Sequence, residues 1–302
     1  MPVVNLKFPI KPEQYKIIAR SLTIVENDLS GSEEILKNLN FSKNSTIIGI
    51  TGPPGAGKST LVNEIINTLS KENKLVAVLA VDPTSPFNLG SLLGDRIRMM
   101  EQFNKPNVYI RSIATRGSLG GLSAKTIEMV DVLRSCGFDY IIVETVGVGQ
   151  SEVEIVGLAD VTVVVMVPEA GDEIQSIKSG LMEIADIFVV NKADREGADV
   201  FANNLKKLVH QKSKKVPVLK TIADKGEGVD ELIKEIRQFS KEGAKLKSFL
   251  LTEKAWKLIQ QRKMQNVDKK KLQQFIAEAS LLDNFNLYQF IDLFLRESGV
   301  HN

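Results

Sequence analysis

Seven short runs of apolar, mostly β-branched residues recur through the middle of the chain, and helix-length segments separate them. Most of the runs are apolar at successive positions, which is typical of strands in a parallel sheet covered by helices on both faces. Strands that alternate with helices predict βαβ units and an α/β fold with a doubly wound, mostly parallel sheet. The runs are Thr46–Thr51, Leu75–Asp82, Val108–Ile113, Tyr140–Thr145, Val161–Val167, Ile187–Asn191 and Val216–Thr221. The helical segments between them include Ser59–Asn73, Ser123–Cys136 and Ile174–Ala185.

The two ends of the chain carry helical patterns instead. Apolar residues recur at helical spacing in Pro12–Asn40, where a second short helix is expected after Gly31. From Lys241 onward no strand candidate appears, and Leu272–Ala279 has apolar residues at three- and four-residue intervals. This last stripe can pack on the parent domain or form a dimerisation arm, and the pattern leaves both readings open. The predicted regions are a helical extension, a core domain and a C-terminal helical region, at residues 1–44, 45–240 and 241–302.

The loop after the first strand has the composition of a phosphate-binding loop. It fits G-x-x-x-x-G-K-[ST] without a gap, between a strand and a helix. Glycines let backbone N–H groups turn toward a phosphate, and the helix N-terminus adds partial positive charge. We expect Lys58 to reach the β- and γ-phosphate oxygens and the Ser59 hydroxyl to bind Mg²⁺. A Gly/Pro-rich turn that binds nothing is disfavoured by this context. The predicted nucleotide-binding residues are Gly52, Pro53, Pro54, Gly55, Ala56, Gly57, Lys58, Ser59 and Thr60.

The sixth strand leads into an N-K-x-D sequence that predicts guanine recognition. The Asp194 carboxylate can accept two parallel hydrogen bonds from the ring N–H and exocyclic amine of guanine, and adenine offers no such pair. Lys192 is expected along the base, and Asn191 is expected to tie this loop to the phosphate loop. An ordinary helix cap at Asp194 is the alternative. After the last strand a backbone amide is expected to contact the guanine carbonyl oxygen, where Ile222, Ala223 and Asp224 replace the usual Ser-Ala-Lys.

Acidic residues at or near strand ends are the candidate magnesium ligands. Asp82 ends the second strand, and Glu144 ends the fourth, three residues before Gly147. An acid followed by glycine at this spacing is typical of a metal ligand with a γ-phosphate sensor. The predicted metal ligands are Ser59, Asp82, Asp95 and Glu144, and the predicted catalytic residues are Lys58, Glu144 and Gly147.

A slow intrinsic GTPase is expected from this sequence. Val148 occupies the place where Ras-like proteins carry a water-orienting glutamine, so a partner would have to complete the site. Arg98, Arg116 and Gln150 are further candidates for the site, although each taken alone also fits a surface side chain.

Composition narrows the choice of partner. The 302 residues are 43% hydrophobic and 25% charged, which excludes wholesale disorder. A formal net charge of +2 gives no electrostatic reason to expect nucleic acid or an anionic membrane. Cys136 is the only cysteine, which excludes an intramolecular disulfide and a multi-thiolate metal site. The first residues do not resemble a signal peptide, and we expect a cytoplasmic protein whose client is another protein.

Six sequence blocks together resemble the MeaB/ArgK/MMAA group of P-loop GTPases over nearly the whole chain. They are GPPGAGKST at 52–60, DPTSPFNLGSLLGDRIR at 82–98, GGLSAKT at 120–126, ETVGVGQSE at 144–152, AGDE at 170–173 and NKAD at 191–194. The resemblance implies a homodimeric GTPase that binds GTP or GDP with Mg²⁺. It further implies a chaperone of an adenosylcobalamin-dependent acyl-CoA mutase, typically methylmalonyl-CoA mutase, that gates cofactor loading and protects the enzyme from inactivation.

Three other functions remain open at this point. The old ArgK name implies a GTP- or ATP-dependent protein kinase of a transport-related binding protein. A metal-chaperone GTPase is a second possibility, although such proteins usually carry Cys/His motifs and this chain has only two histidines. The third is a nucleotide-gated interaction module in which the helical tail binds the partner.

Overall fold

The fold is built around one parallel sheet, seen in a computed structural model. The structure describes residues 14–41, 44–82, 100–114, 124–145, 155–168, 182–210, 216–242, 269–279 and 287–297, with isolated residues between 252 and 267. Its seven strands are β1 Thr46–Thr51, β2 Val76–Asp82, β3 Val108–Ala114, β4 Tyr140–Glu144, β5 Val161–Met166, β6 Ile187–Val190 and β7 Val218–Lys220. They pair in the order β3-β2-β4-β1-β5-β6-β7, and all these pairings are parallel. The predicted α/β class is confirmed.

Helices cover both faces of the sheet. The described helices are α1 Gln14–Glu26, α2 Ser32–Lys37, α3 Lys58–Lys71, α4 Ala124–Ser135, α5 Ala198–His210, α6 Val229–Glu242, α7 Lys269–Ala279 and α8 Leu287–Glu297. Single helical turns lie at Met100–Asn104, Ile155–Gly157, Met182–Ile184 and Ala223–Lys225. The predicted helix at Ile174–Ala185 falls on described residues only at Met182–Ala185, where the turn ends at Ile184.

The apolar runs are buried on both faces, as their composition predicts. In β1, Ile48 and Ile50 pack in one cluster with Ile65 of α3 and with residues of α6. Ile47 belongs to the cluster on the opposite face, with Leu22 of α1 and residues of α4. A third cluster joins α5 to β5 and β6. Full burial of one such side chain contributes about 1.5–3 kcal/mol, so the strands are held strongly in place between the helical layers.

Aspartates at the start of three strands fix their alignment with a neighbouring strand. Asp139, Asp160 and Asp186 each directly precede a strand and accept a hydrogen bond from a backbone N–H of the adjacent chain segment. The donors are Leu75, Ile47 and Thr162 respectively, each 2.9 Å from the carboxylate oxygen. Because a shifted register would break these bonds, they help to align the opposite, carboxyl ends of the strands, where the loops of the candidate site begin.

The chain divides into two compact units, residues 1–250 and 251–302. In the second unit α7 and α8 meet through aromatic rings: Phe294 is buried and lies edge-on to Phe275, with ring centroids 6.1 Å apart. Tyr288 and Leu293 of α8 are exposed. Within the described ranges, no helix combines the length and apolar character needed to cross a membrane.

Candidate nucleotide-binding site

The predicted site residues follow the carboxyl ends of strands that are neighbours in the sheet. β1 lies between β4 and β5, so the chain fills one side of β1 first and then crosses to the other. Ligands of open α/β sheets bind at the carboxyl edge, at the strand where the direction of winding changes. The phosphate loop follows β1 and therefore lies at this position, with the N-K-x-D segment following β6 at the same edge.

Two glycines allow the phosphate loop to pass close to its surroundings. Gly57 precedes α3 with a φ of 82°, and a Cβ atom there would lie 2.4 Å from the Asn191 side-chain nitrogen. A Cβ on Gly52, whose φ is 137°, would lie 2.0 Å from the Val165 carbonyl oxygen. Any side chain at either position would force the loop away from β5 or from the N-K-x-D segment.

Lys58 is the first residue of α3, and its ammonium group lies over the phosphate loop. The side chain is buried, and Nζ donates hydrogen bonds to the carbonyl oxygens of Gly52, at 2.9 Å, and Pro53, at 3.0 Å. The N-terminus of α3 adds the partial positive charge of its backbone N–H groups. The loop therefore has the geometry and charge to bind phosphate oxygens.

Ser59 and Glu144, two predicted metal ligands far apart in the sequence, are in direct contact. The Ser59 hydroxyl donates to Glu144 Oε1 at 2.6 Å, and Glu144 is buried at the end of β4. The next residue, Thr145, donates from its hydroxyl to that of Thr51 at 2.9 Å, which ties the ends of β4 and β1 together. A hydroxyl and a carboxylate are oxygen donors of the kind that Mg²⁺ prefers, so these residues fit the ion.

The other predicted metal and switch residues are only partly covered by the described chain. Asp82 is the last residue of β2, which is the neighbour of β4 in the sheet, so its backbone lies at the same edge as Glu144. Other predicted site residues lie outside the described residues: Asp95, Arg98, Arg116, Gly147 and Gln150.

Asn191 connects the phosphate loop to the loop after β7. Its side chain is 2% exposed, and Nδ2 donates to the Ala56 carbonyl oxygen at 2.9 Å. Oδ1 accepts from the Thr221 hydroxyl at 3.0 Å and from the Ala223 backbone N–H at 3.1 Å. One buried carboxamide therefore sets the spacing between three chain segments of the predicted site.

Lys192 and Asp194 lie at the edge of this network. Lys192 has a φ of 56°, and its Nζ donates to the Gly55 carbonyl oxygen at 2.8 Å, so the N-K-x-D segment contacts the phosphate loop a second time. The Asp194 side chain is 43% exposed, and Oδ2 forms an ion pair with Lys225 Nζ at 3.5 Å. The carboxylate is therefore accessible to an incoming base.

The remaining predicted residues are placed as follows. Ile222 pairs through its backbone with Glu227, while Asp224 and Thr60 are exposed. Three contributors to the site were not identified from the sequence: the hydroxyls of Thr51 and Thr221, and the ammonium of Lys225. A threonine at the end of a buried strand is a usable sequence signal for the first two. Nothing in the sequence pairs Lys225 with Asp194.

The chain is similar to known proteins over most of its length. The family model for the methylmalonyl-CoA mutase-associated GTPase MeaB matches residues 18–280. A protein of Pyrococcus horikoshii named as a GTPase is 50% identical over 256 residues, 81% of each chain. A mouse protein, named mitochondrial methylmalonic aciduria type A homolog, is 36% identical over 75% of this chain and 60% of its own length.

A solved structure agrees with these relatives. The crystal structure of an LAO/AO transport system kinase has a TM-score of 0.67 and 25% sequence identity, over 96% of this chain and 89% of that one. Together with the family match over residues 18–280, the relatives named as GTPases show that GTP hydrolysis is the activity of the chain. The chain belongs to the MeaB family of methylmalonyl-CoA mutase-associated GTPases and is itself a GTPase.

Proposed function

We propose that this GTPase acts in the cytoplasm as a chaperone of an adenosylcobalamin-dependent acyl-CoA mutase, with methylmalonyl-CoA mutase as the first client to test. GTP binding and hydrolysis would gate loading of the cofactor into the mutase and protect the enzyme from inactivation. The observation that carries the proposal is the family match over residues 18–280, and the similarity to the mouse protein named for methylmalonic aciduria supports it.

The phosphate half of the site would bind the β- and γ-phosphates of GTP. Lys58 and the N–H groups of the loop donate to the phosphate oxygens, so Lys58 exchanges its two carbonyl partners for phosphate. Ser59 would hold Mg²⁺ with acids drawn from Glu144, Asp82 and Asp95, at least one of these three being a switch residue instead, and the ion when bound neutralises phosphate charge. Gly147 would sense the γ-phosphate through its backbone N–H. The 2.6 Å contact between Ser59 and Glu144 supports a shared ligand set.

The base half of the site would select guanine through Asp194. Asp194→Asn replaces one carboxylate oxygen with an amide NH2 group, which can donate a hydrogen bond to the carbonyl oxygen that xanthine carries in place of the guanine amine. We expect the preference to shift from GDP toward xanthosine diphosphate, measured by competition against a fluorescent nucleotide. Asp199→Asn is the matched control because Asp199 is an exposed carboxylate paired with Lys220. An unchanged guanine preference in Asp194→Asn would remove Asp194 from this role.

The client can be tested with purified proteins. We expect methylmalonyl-CoA mutase to form a complex with the chain in the presence of a GTP analogue and to raise its GTP hydrolysis rate. Lys58→Ala should abolish the nucleotide dependence, whereas Lys37→Ala, which removes a surface lysine paired with Glu33, should retain it. If the mutase neither forms a complex with the chain nor raises its GTP hydrolysis rate, the proposed client is wrong.

The C-terminal helices are proposed to form a homodimer. The exposed apolar side chains of α8, Tyr288 and Leu293, support this because a second copy could cover them. Light scattering of the full chain should give twice the monomer mass, and Leu293→Glu should give the monomer mass. A monomeric full chain at micromolar concentration would exclude the dimer.

A protein kinase is the second candidate function, supported by the likeness to the structure described as a transport system kinase. It would use the same phosphate loop but pass the γ-phosphate to a protein. Incubation with γ-labelled GTP and a transport-related binding protein separates the two functions. Stable label on the binding protein favours the kinase, and label released only as free phosphate favours the GTPase chaperone.

A further inference from the structure

We infer that Lys225 is a positioning residue for guanine recognition, because its ammonium holds the Asp194 carboxylate in the orientation that accepts two hydrogen bonds from the base. The inference rests on the proposed role of Asp194. The supporting contact is the 3.5 Å ion pair between Lys225 Nζ and Asp194 Oδ2, at the accessible edge of the site.

The backbone that carries Lys225 is fixed. Ile222 and Glu227 exchange two backbone hydrogen bonds, with N···O distances of 3.1 and 3.3 Å, which close the loop around the turn Ala223–Lys225. The N–H of Ala223 is in turn held by Asn191 Oδ1. The Lys225 side chain therefore starts from a position set by the same carboxamide that holds the phosphate loop.

The backbone around Asp194 is fixed in the same way. The N–H of Ala193 donates to the Thr221 carbonyl oxygen at 3.0 Å, and that of Arg195 donates to the Lys192 carbonyl oxygen at 3.0 Å. The remaining freedom at this edge lies in the side-chain torsions of Asp194 and Lys225, both partly exposed. The ion pair restricts them, because a rotated carboxylate would lose its contact with the ammonium.

The serine of the usual Ser-Ala-Lys motif is absent from the loop after β7. Ile222, at the position where the usual motif has serine, has a hydrocarbon side chain that cannot donate a hydrogen bond to the carboxylate. Each carboxylate oxygen has two lone-pair sites, so Oδ2 can accept from Lys225 on one side and from the base on the other. Lys225 thus orients Asp194 without occupying the base position.

The effect should depend on how many hydrogen bonds the base makes. Guanine offers two parallel donors and requires the carboxylate to lie in the base plane, whereas hypoxanthine lacks the exocyclic amine and offers one donor, which tolerates rotation. An exposed ion pair changes an equilibrium by about 2- to 5-fold. Lys225→Met should therefore weaken GDP binding by about 2- to 5-fold and affect inosine diphosphate less.

The experiment compares the affinities of the full chain for GDP and inosine diphosphate by titration calorimetry. Lys225→Met should narrow the ratio of the two affinities, and Lys225→Arg should restore it because the cation is retained. Lys220→Met is the control, since it removes another exposed lysine–aspartate pair of the same domain and should leave the ratio unchanged. Thermal unfolding by circular dichroism verifies that the variants are folded.

The variant Asp194→Asn separates a failure of base recognition by Asp194 from a failure of the positioning role of Lys225. If it leaves the GDP preference intact, the proposed base recognition itself is wrong. If it removes the preference while Lys225→Met keeps the full GDP to inosine diphosphate ratio, only the role of Lys225 is wrong. If Lys225→Met adds nothing in the Asp194→Asn background but acts in the native chain, Lys225 works through Asp194.

Discussion

Replacing Asn191 with alanine tests the central connection of the site. The side chain joins the phosphate loop at Ala56 to the loop after β7 at Thr221 and Ala223 through three hydrogen bonds of 2.9–3.1 Å. Alanine removes both the donor and the acceptor of the carboxamide and leaves the three partner groups in place. Thr221 and Ala223 are almost fully buried, so water has poor access to them.

The expected loss in the free energy of unfolding is the sum of the costs at the three groups that lose their hydrogen-bond partner. A buried N–H without a partner costs about 1–3 kcal/mol, which applies to Ala223 because an amide hydrogen cannot turn away. The Thr221 hydroxyl can rotate and the Ala56 carbonyl has a second lone pair, so these two bonds contribute about 0.5–1.5 kcal/mol each. We expect the free energy of unfolding to fall by about 2–6 kcal/mol, the sum of these three contributions.

Urea unfolding followed by circular dichroism at the helical minimum measures this change. Tryptophan fluorescence would report on the wrong region, because the only tryptophan, Trp256, lies in the unit formed by residues 251–302. The matched control is Asn203→Ala on the exposed side of α5, which should stay within about 0.5 kcal/mol of the native chain.

If Asn191→Ala lowers the free energy of unfolding by less than about 1 kcal/mol, the three hydrogen bonds do not hold the site as described. This value is the minimum cost, about 1 kcal/mol, of one buried N–H group without a hydrogen-bond partner. A loss equal to that of Asn203→Ala would likewise contradict the contacts. GDP affinity should fall together with stability, because the spacing between the phosphate loop and the loop after β7 is no longer fixed by the Asn191 side chain.

Three further predictions concern the phosphate loop, the buried cysteine and the metal ligands. Gly57→Ala should weaken GDP binding at least about tenfold more than Gly55→Ala, as measured by titration calorimetry. The new Cβ at position 57 would lie 2.4 Å from the Asn191 side chain, whereas a Cβ at position 55 would have no atom within 4 Å. Burial raises the pKa of the Cys136 thiol to about 12, so Ellman's reagent at pH 8 should label the native chain far more slowly than the urea-unfolded chain. Ser59→Ala should remove the Mg²⁺-dependent part of GTP affinity and preserve the part measured in EDTA.

Each of these expectations has a contrary result. Equal losses of affinity for the two glycine variants would mean that left-handed backbone strain, and not the close contact, governs the loop. Rapid labelling of native Cys136 would show that the turn after α4 opens readily. Mg²⁺ stimulation retained in Ser59→Ala would exclude that hydroxyl from the metal ligands.

The amino-acid sequence was sufficient to predict the sheet and the position of the glycine-rich loop between β1 and α3. Apolar runs such as Val161–Val167 can be stable only with both faces covered, which requires parallel strands between helical layers. The phosphate loop is formed by consecutive residues between one strand and one helix, so its chemistry is contained in a local pattern. The helical tail differs, because an apolar stripe does not identify the surface that covers it.

The N-K-x-D motif already predicted that Asn191 ties its loop to the phosphate loop, but the atoms that make the contacts between segments depend on the tertiary structure. Ser59 meets Glu144, and Asn191 meets Ala56, because the order of strands in the sheet brings distant segments to one edge. The motifs identify the residues, but they do not specify the partner atoms, since these depend on which strand lies beside which. The same holds for the ion pair between Lys225 and Asp194, two exposed charges whose contact results only from the packing of two loops. The sequence by itself determined the kind of fold and the kind of ligand, and the tertiary structure decided which side chains hold the site together.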